Sequence, residues 1–159
     1  MSQMLPALRG IHHVALITAN MQRAVRFYGE VLALPLVRAQ RDPSDPDARN
    51  YYFDLGGGAL LALFEYAEAP GAVGGVGGMH HLSFQVAGVA ALTEMRAALH
   101  ARGVAVSEIA DQDFIQSIYF RDPDGTMIEI CAPTRPLGPD DLRADPDPVP
   151  ALAEQLGRK

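Results

Sequence analysis

The feature of this sequence that most constrains its fold is an internal repeat. The stretches GIHHVALIT at 10–18 and GMHHLSFQV at 78–86 each place a histidine doublet inside an apolar run that is typical of a buried strand. A helical segment follows each run and begins seven residues after the second histidine of the doublet, at Asn20 and at Gly88. Matching spacing with different residues predicts that one unit has been duplicated.

Each half of the chain has the same predicted order, a strand, a helix and three strands. The sequence therefore predicts an α+β fold of two paired βαβββ modules, over 10–66 and 79–132, whose sheets form an open cup. A glycine-rich linker over 67–78 joins them, and a tail rich in proline and aspartate covers 133–159. The predicted strands cover 11–18, 34–40, 49–55, 59–66, 79–86, 104–110, 113–121 and 125–132, and the predicted helices cover 20–32, 89–103 and 150–159.

Composition limits what such a protein can do. Of the 159 residues, 48% are hydrophobic and 20% are charged, as in globular proteins with a buried core. The net charge is −6 and no basic stripe occurs, so a small molecule is the expected partner rather than nucleic acid. No run approaches the ~18 apolar residues of a membrane span. The start, MSQMLPALRG, has no apolar signal-peptide core, so a cytoplasmic location is expected.

The histidine doublets predict one polar side chain on each face of their strand, because neighbouring side chains on a strand point to opposite faces. His81 would share its face with Ser83 and Gln85, whereas His80 would share the other face with large apolar residues. The apolar face is expected to pack on the helix, which leaves His81 in the cup. By the repeat, His13 faces the cup as well.

Glu129 is the third candidate in the cup. It lies between Ile128 and Ile130, so it should point away from the packed core. A carboxylate in such a strand is costly to bury without a cation or hydrogen-bond donors. His13, His81 and Glu129 would meet that need by holding a divalent metal ion. The alternative is that the histidines are merely half-buried and hydrogen-bonded and that Glu129 pairs with a basic residue.

Three stretches, IHHVALITANMQRAVRFYGEVLALPLV, HHLSFQV and IYFRDPDGTMIEI, resemble the vicinal oxygen chelate superfamily. That superfamily includes glyoxalase I, bleomycin and fosfomycin resistance proteins, methylmalonyl-CoA epimerase and extradiol dioxygenases. The resemblance implies a glyoxalase-like cup of mixed sheet around one divalent metal ion, with His13, His81 and Glu129 at ligand positions. It also implies a homodimer, in which metal ligands are sometimes shared across the interface.

One position departs from the glyoxalase pattern. Glyoxalase I and its closer relatives usually take a fourth ligand from the last strand of the first module, where this chain has Ala62. The repeat gives the same match, since His13 to Ala62 spans 49 residues and His81 to Glu129 spans 48. Glu65 is an odd number of residues away and should face the other side of the sheet. These differences count against a glyoxalase or an epimerase.

A three-ligand site resembles an extradiol dioxygenase or a fosfomycin-resistance transferase more closely, and Tyr119 favours the first. A three-residue turn with Gly125 in the left-handed conformation would pair Tyr119 with Glu129, and extradiol dioxygenases have a site tyrosine at this spacing. The first functional prediction is therefore ring cleavage of an aromatic diol with Fe(II), and with Tyr119 as a catalytic residue. One alternative is a lyase, an isomerase or a thiol transferase that uses Mn(II), Ni(II) or Zn(II). Another is a non-catalytic drug-binding protein, as in bleomycin resistance. No further histidine is found for the acid–base role that such dioxygenases use.

Overall fold

Each half of the chain folds around a four-stranded mixed sheet. The structure is a computed structural model that describes residues 7–42, 45–69, 76–143, 146–147 and 149–157. The first sheet contains β1 (His13–Thr18), β2 (Leu36–Arg41), β3 (Arg49–Asp54) and β4 (Leu60–Glu65). The second contains β5 (Leu82–Gln85), β6 (Ala110–Asp111), β7 (Ile115–Arg121) and β8 (Met127–Pro133).

The two sheets have the same topology, which confirms the predicted α+β fold of two paired modules. Their strand orders are β1-β4-β3-β2 and β5-β8-β7-β6. In each sheet the first strand runs parallel to the last, and the remaining pairs are antiparallel. A crossover helix between the first and second strands of each module makes the parallel pairing possible.

The helices begin and end where the sequence predicts. The first, α1 (Met21–Val25), continues as a π-helical segment over Arg26–Val31, and Asn20 caps its start by accepting a hydrogen bond from the Arg23 N–H at 3.0 Å. The second, α2 (Val89–Ala101), ends before Gly103, whose φ of +78° closes the helix. A 3₁₀ turn (Pro139–Arg143) and α3 (Pro150–Gly157) follow in the tail.

Six of the predicted strands lose one or two residues at one or both ends, and the other two differ more. The prediction over 104–110 is wrong except at Ala110, where β6 begins. Arg96 Nε donates to the Ser107 carbonyl at 2.7 Å, so that this carbonyl is bonded to α2 and not to a neighbouring strand, whereas the Ser107 N–H still donates to the Tyr119 carbonyl at 2.9 Å. The strand predicted over 79–86 begins only at Leu82. Of the predicted linker over 67–78, residues 70–75 lie outside the described residues.

The two modules share one hydrophobic core. It joins the helix-facing sides of both sheets, and the Phe27 ring of the first module lies 6.2 Å from the Phe120 ring of the second. The buried members of this core are Met21, Ala24, Phe27, Tyr28, Leu32, Phe53, Leu61, Leu63, Leu92, Leu99, Ile118, Phe120, Ile128, Ile130 and Ala132. Because the modules meet through these sides, the opposite faces of both sheets point outward.

Polar contacts from the turn between β7 and β8 reinforce this packing. Asp124 accepts hydrogen bonds from Thr18 Oγ1 at 2.6 Å and from the Arg23 guanidinium at 2.5 Å. Tyr28 Oη donates to Asp122 Oδ2 at 2.8 Å, and both side chains are buried. The second module thereby holds the start and the middle of the first helix. Among the described helices, none is both long and apolar enough to cross a membrane.

Candidate functional site

One face of the second sheet carries the predicted carboxylate. We call it the Glu129 face; it includes Ser83, Tyr119 and Glu129. Glu129 lies opposite Ser83 of the parallel strand β5 and opposite Tyr119 of the antiparallel strand β7. The turn that sets the second pairing contains Gly125 at φ +92°, the left-handed conformation that the sequence predicts. The predicted pairing of Tyr119 with Glu129 is therefore confirmed.

Both carboxylate oxygens of Glu129 have partners. Tyr119 Oη donates to Oε1 at 2.8 Å, and His81 Nε2 lies 2.9 Å from Oε2. The Glu129 residue is only 3% exposed, whereas the His81 side chain is 33% exposed. The carboxylate is thus buried against an imidazole and a phenol. The imidazole lies between the carboxylate and solvent. In this structure the basic side chain beside Glu129 is a histidine rather than an arginine or a lysine.

The site keeps Glu129 ionised and Tyr119 protonated. Burial raises the pKa of the Glu129 carboxyl, but neighbouring hydroxyls and the His81 imidazole lower it by more, so its pKa lies below the ordinary value; the hydroxyls belong to Ser117, Tyr119 and Ser83. Burial, followed by the hydrogen bond to Glu129, raises the pKa of the Tyr119 phenol. At neutral pH the pair is therefore a carboxylate and a hydrogen-bond donor.

Two further polar side chains surround the pair. Gln112 Nε2 donates to Tyr119 Oη, which orients the phenol toward Glu129. Ser117 is fully buried, and although its hydroxyl lowers the pKa of Glu129, no hydrogen bond of ordinary geometry satisfies it among the described residues. An unsatisfied buried hydroxyl beside a carboxylate is unusual in folded proteins and is expected to find a partner in a bound ion, water or ligand.

The corresponding face of the first sheet lacks a carboxylate at the position equivalent to Glu129. We call it the His13 face; in the strand register Ala62 lies opposite Ala15 and Tyr52, just as Glu129 lies opposite Ser83 and Tyr119. The sequence prediction that Ala62 takes the position equivalent to Glu129 is confirmed. A methyl group cannot ligate a metal ion. The histidine and carboxylate side chains that the register places on this face are His13 and Asp54, which lie on either side of Leu60, and Asp54 accepts the N–H of Gly56 at 2.8 Å.

Glu65 faces the other side of the first sheet, as the sequence predicts. Its Oε1 accepts the N–H of Met21 at 2.8 Å, and its Oε2 accepts Arg49 Nη1 at 2.5 Å. Burial raises the pKa of Glu65, but the Met21 N–H and the Arg49 guanidinium lower it by more, so its pKa lies below the ordinary value. Glu65 therefore anchors the start of α1 and does not belong to the site.

The structure does not bring His13 to the other two predicted ligands within one chain. Among the described residues, no group of three His, Cys, Asp or Glu side chains lies close enough to hold a metal ion. His13 is exposed on β1, and Ile17, on the same face, is 56% exposed. Both site faces point away from the shared core. The chain therefore presents two half-sites, His81 with Glu129 and His13 with its neighbours.

The first histidine of each doublet lies elsewhere than the sequence predicts. Strand alternation predicts His80, and by the repeat His12, on the core side of their strands, but both are exposed. His80 Nδ1 lies 2.7 Å from His81 Nδ1, and His12 Nδ1 lies 2.9 Å from His13 Nδ1. The prediction fails because β5 begins after its doublet and β1 begins within its doublet, so strand alternation does not apply there.

The donor set fits a divalent metal ion in part. A carboxylate oxygen and an imidazole nitrogen that already converge are ligands that Fe(II), Mn(II), Ni(II) and Zn(II) accept. The unsatisfied Ser117 hydroxyl lies beside them, so the polar capacity of the site is not filled by the protein. The sequence missed this serine and Gln112. Strand alternation would have identified Ser117, which lies two residues before Tyr119, but nothing local marks Gln112.

Comparisons with known proteins agree with the fold. The family model described as Glyoxalase/Bleomycin resistance protein/Dioxygenase superfamily matches residues 10–130. In Bacillus subtilis (strain 168), "Putative ring-cleaving dioxygenase MhqO" is 33% identical over 125 residues, which are 76% of this chain and 39% of that protein. A second protein of that strain, "Putative ring-cleaving dioxygenase MhqA", is 25% identical over 128 residues. These are 79% of this chain and 40% of that protein.

One solved structure is similar in length to the matching part of this chain. The crystal structure of a glyoxalase family protein from Enterococcus faecalis is 27% identical and matches with a TM-score of 0.66, covering 77% of this chain and 97% of that one. The chain thus spans about two fifths of the curated relatives it matches, but nearly the whole of this solved structure.

Proposed function

Because the chain belongs to the glyoxalase, bleomycin resistance protein and dioxygenase superfamily, we propose that it is a metal-dependent enzyme that binds a small substrate through two neighbouring oxygens. The observation that carries this proposal is the Glu129 carboxylate, buried to 3% exposure and held by His81 and Tyr119. A buried carboxylate beside an imidazole has a strong preference for a cation. The partly exposed His81 leaves an approach to it from solvent.

We propose that Glu129 and His81 supply two ligands to one divalent metal ion and that His13 supplies the third. Fe(II) is the first candidate, and Mn(II), Ni(II) and Zn(II) are the alternatives. When bound, the ion would supply a Lewis acid that two substrate oxygens can chelate and, as iron, a route for electrons from the substrate to dioxygen. Three protein ligands leave the remaining coordination positions to substrate and water.

The outward-facing half-sites support a homodimer in which two chains complete each site. His81 and Glu129 of one chain would face His13 of the partner subunit, and the symmetry of a dimer would build two such sites. The half-exposed Ile17 beside His13 is an apolar side chain that such an interface would cover. A complementary donor set on two exposed faces of the same chain is the reason for choosing a second copy over another partner.

In this site Tyr119 would act as a hydrogen-bond donor and not as a base. Its pKa is raised, so the proton stays on Oη at neutral pH. Once a cation binds the Glu129 carboxylate, the phenol can donate its hydrogen bond to a substrate oxygen instead. Ala62 leaves the partner face without a carboxylate at the position equivalent to Glu129, so proton-transfer chemistry of the glyoxalase type is disfavoured.

Extradiol-type ring cleavage of an aromatic diol is the specific reaction we propose. Three protein ligands without a fourth, and a neighbouring phenol, match this donor set, whereas the acid–base histidine that such dioxygenases use has no counterpart among the residues named here. The names of the two Bacillus subtilis relatives point to the same chemistry. A cytoplasmic location, predicted from the sequence, belongs to this proposal.

The test is oxygen uptake by protein that has been loaded with Fe(II) under exclusion of air and then given a panel of catechols. We expect uptake with at least one diol, and loss of uptake in Glu129→Gln but not in Glu94→Gln, whose carboxylate is exposed on α2. No uptake with any diol would reject the dioxygenase. Turnover with Mn(II), Ni(II) or Zn(II) and no oxygen consumption would favour a lyase, an isomerase or a thiol transferase instead. Tight binding of an aromatic ligand by metal-free protein would favour a drug-binding protein.

A further inference from the structure

We propose that His80 is a positioning residue that fixes the ring of His81, and that His12 does the same for His13. The carrying observation is geometric and occurs twice: the Nδ1 atoms lie 2.7 Å apart in the second doublet and 2.9 Å apart in the first. In both doublets the rings meet edge to face, with interplanar angles of 78° and 86°. The inference rests on the proposed metal ligands.

The hydrogen bond constrains the tautomers of both rings. A contact between two Nδ1 atoms needs a proton on one of them and a lone pair on the other. In the metal-free protein His81 Nε2 donates to the Glu129 carboxylate, so the Nδ1 of a neutral His81 carries the lone pair. His80 must then carry its proton on Nδ1 and donate it to His81.

A cation on His81 Nε2 would reverse the direction of this hydrogen bond. The Nε2 proton leaves to solvent, and the shared proton passes from His80 Nδ1 to His81 Nδ1. His80 then accepts at Nδ1 and takes a proton from solvent on its exposed Nε2, so the doublet as a whole gains and loses no proton. The ring of His81 is held in one orientation in both states, because the contact survives with its donor and acceptor exchanged.

This arrangement replaces the partner that usually orients a ligand histidine. Ligand histidines commonly donate their second N–H to a carboxylate or a backbone carbonyl, which can only accept. A neighbouring imidazole can either donate or accept a hydrogen bond. It therefore suits a ligand histidine whose Nε2 carries a proton in one state and a cation in the other. The same doublet in both modules means that each proposed histidine ligand has this support.

The tautomers can be read directly by nitrogen-15 NMR of the histidine rings, through their carbon-bound protons. In metal-free protein we expect the Nε2–H form for His81 and the Nδ1–H form for His80. On titration with Zn²⁺, a diamagnetic probe, both patterns should exchange. His100, exposed in the last turn of α2, is the internal reference and should keep its pattern. Independent tautomer mixtures at His80 and His81 in metal-free protein would overturn the inference.

Two variants test whether the contact matters for binding. His80→Asn retains an acceptor where Nδ1 lay, whereas His80→Phe retains the ring shape without one. Loss of a partner that orients a ligand typically costs about 10–100-fold in metal affinity. We expect that loss of Zn²⁺ affinity in the phenylalanine variant and substantial recovery in the asparagine variant, with unchanged thermal unfolding of both metal-free proteins. Equal affinity in both variants and the wild type would refute the positioning role.

These outcomes separate the inference from the function on which it rests. If wild-type protein binds no divalent metal ion, the proposed function fails while the tautomers of the metal-free doublet are still decided. If wild type binds metal but His80→Phe binds it equally well, the positioning role fails and the proposed metal site stands.

Discussion

Replacing Tyr28 with phenylalanine should remove one buried hydrogen bond between the two modules and leave the packing intact. The Tyr28 residue is 1% exposed, and its hydroxyl donates to Asp122 Oδ2 at 2.8 Å. The other carboxylate oxygen accepts the N–H groups of Asp124 at 3.0 Å and Thr126 at 2.7 Å. Without the hydroxyl, Oδ2 keeps its charge and burial but loses this donor.

The expected cost follows from the charge on the acceptor. A hydrogen bond to a charged group contributes about 1.5–3 kcal/mol, and the aromatic ring is unchanged, so we expect Tyr28→Phe to lower the free energy of unfolding by about 2 kcal/mol. With a urea m-value of about 2 kcal/mol/M, the unfolding midpoint should fall by about 1 M. The m-value itself should not change, because the folded state exposes no new surface.

The assay is urea unfolding followed by circular dichroism, with Tyr66→Phe as the matched control. The Tyr66 side chain is exposed, so its variant should stay within about 0.5 kcal/mol of the wild type. A double-mutant cycle with Asp122→Asn should give a coupling of about 1 kcal/mol or more. Additive single losses, or a Tyr28→Phe loss no larger than that of the control, would refute the claim that this hydrogen bond joins the modules.

Three further predictions concern other contacts. Tyr119→Phe should raise the pKa of the Glu129 carboxyl in metal-free protein, because a donor is lost; an NMR titration with carbon-13 glutamate checks this, and an unchanged pKa would contradict it. The pKa of Glu65 lies below its ordinary value of 4.5. Wild type should therefore be more stable than Glu65→Gln at neutral pH, and this difference in the free energy of unfolding should disappear as the pH falls below 4.5. Urea unfolding measured across pH would contradict this if the difference stayed constant. Gly125→Ala should cost about 1–2 kcal/mol through its left-handed φ alone, since nothing lies within 4 Å of the added methyl group; an unchanged melting temperature would contradict this.

The site faces were predictable because sheet geometry is local. Strand alternation and the turn at Gly125 determine that Glu129 and Tyr119 lie side by side and that Ser83 joins them. The same rule places Ala62 on the His13 face of the first sheet and Glu65 on the opposite face. Each of these positions depends on a few neighbouring residues in the chain, so the sequence contains the needed information.

The placement of His13 was not predictable in the same way. It depends on how the modules pack, and that packing rests on long-range contacts such as Phe27 with Phe120 and Tyr28 with Asp122. No periodicity in the sequence encodes contacts between residues some ninety positions apart. The prediction for His80 is wrong for a different reason. His80 precedes β5, which begins at Leu82, and side chains alternate between faces only within a strand.

The most direct test of the proposed shared site is a complementation experiment that measures bound metal. His13→Ala and Glu129→Gln are each expected to bind little metal as purified dimers, because either change damages every site. When the two are unfolded and refolded together, mixed dimers hold one undamaged site, so about one quarter of the wild-type metal content should return in a statistical mixture of symmetric dimers. If the mixture recovers none while wild type binds metal fully, or if either variant alone keeps full metal content, the shared site is contradicted.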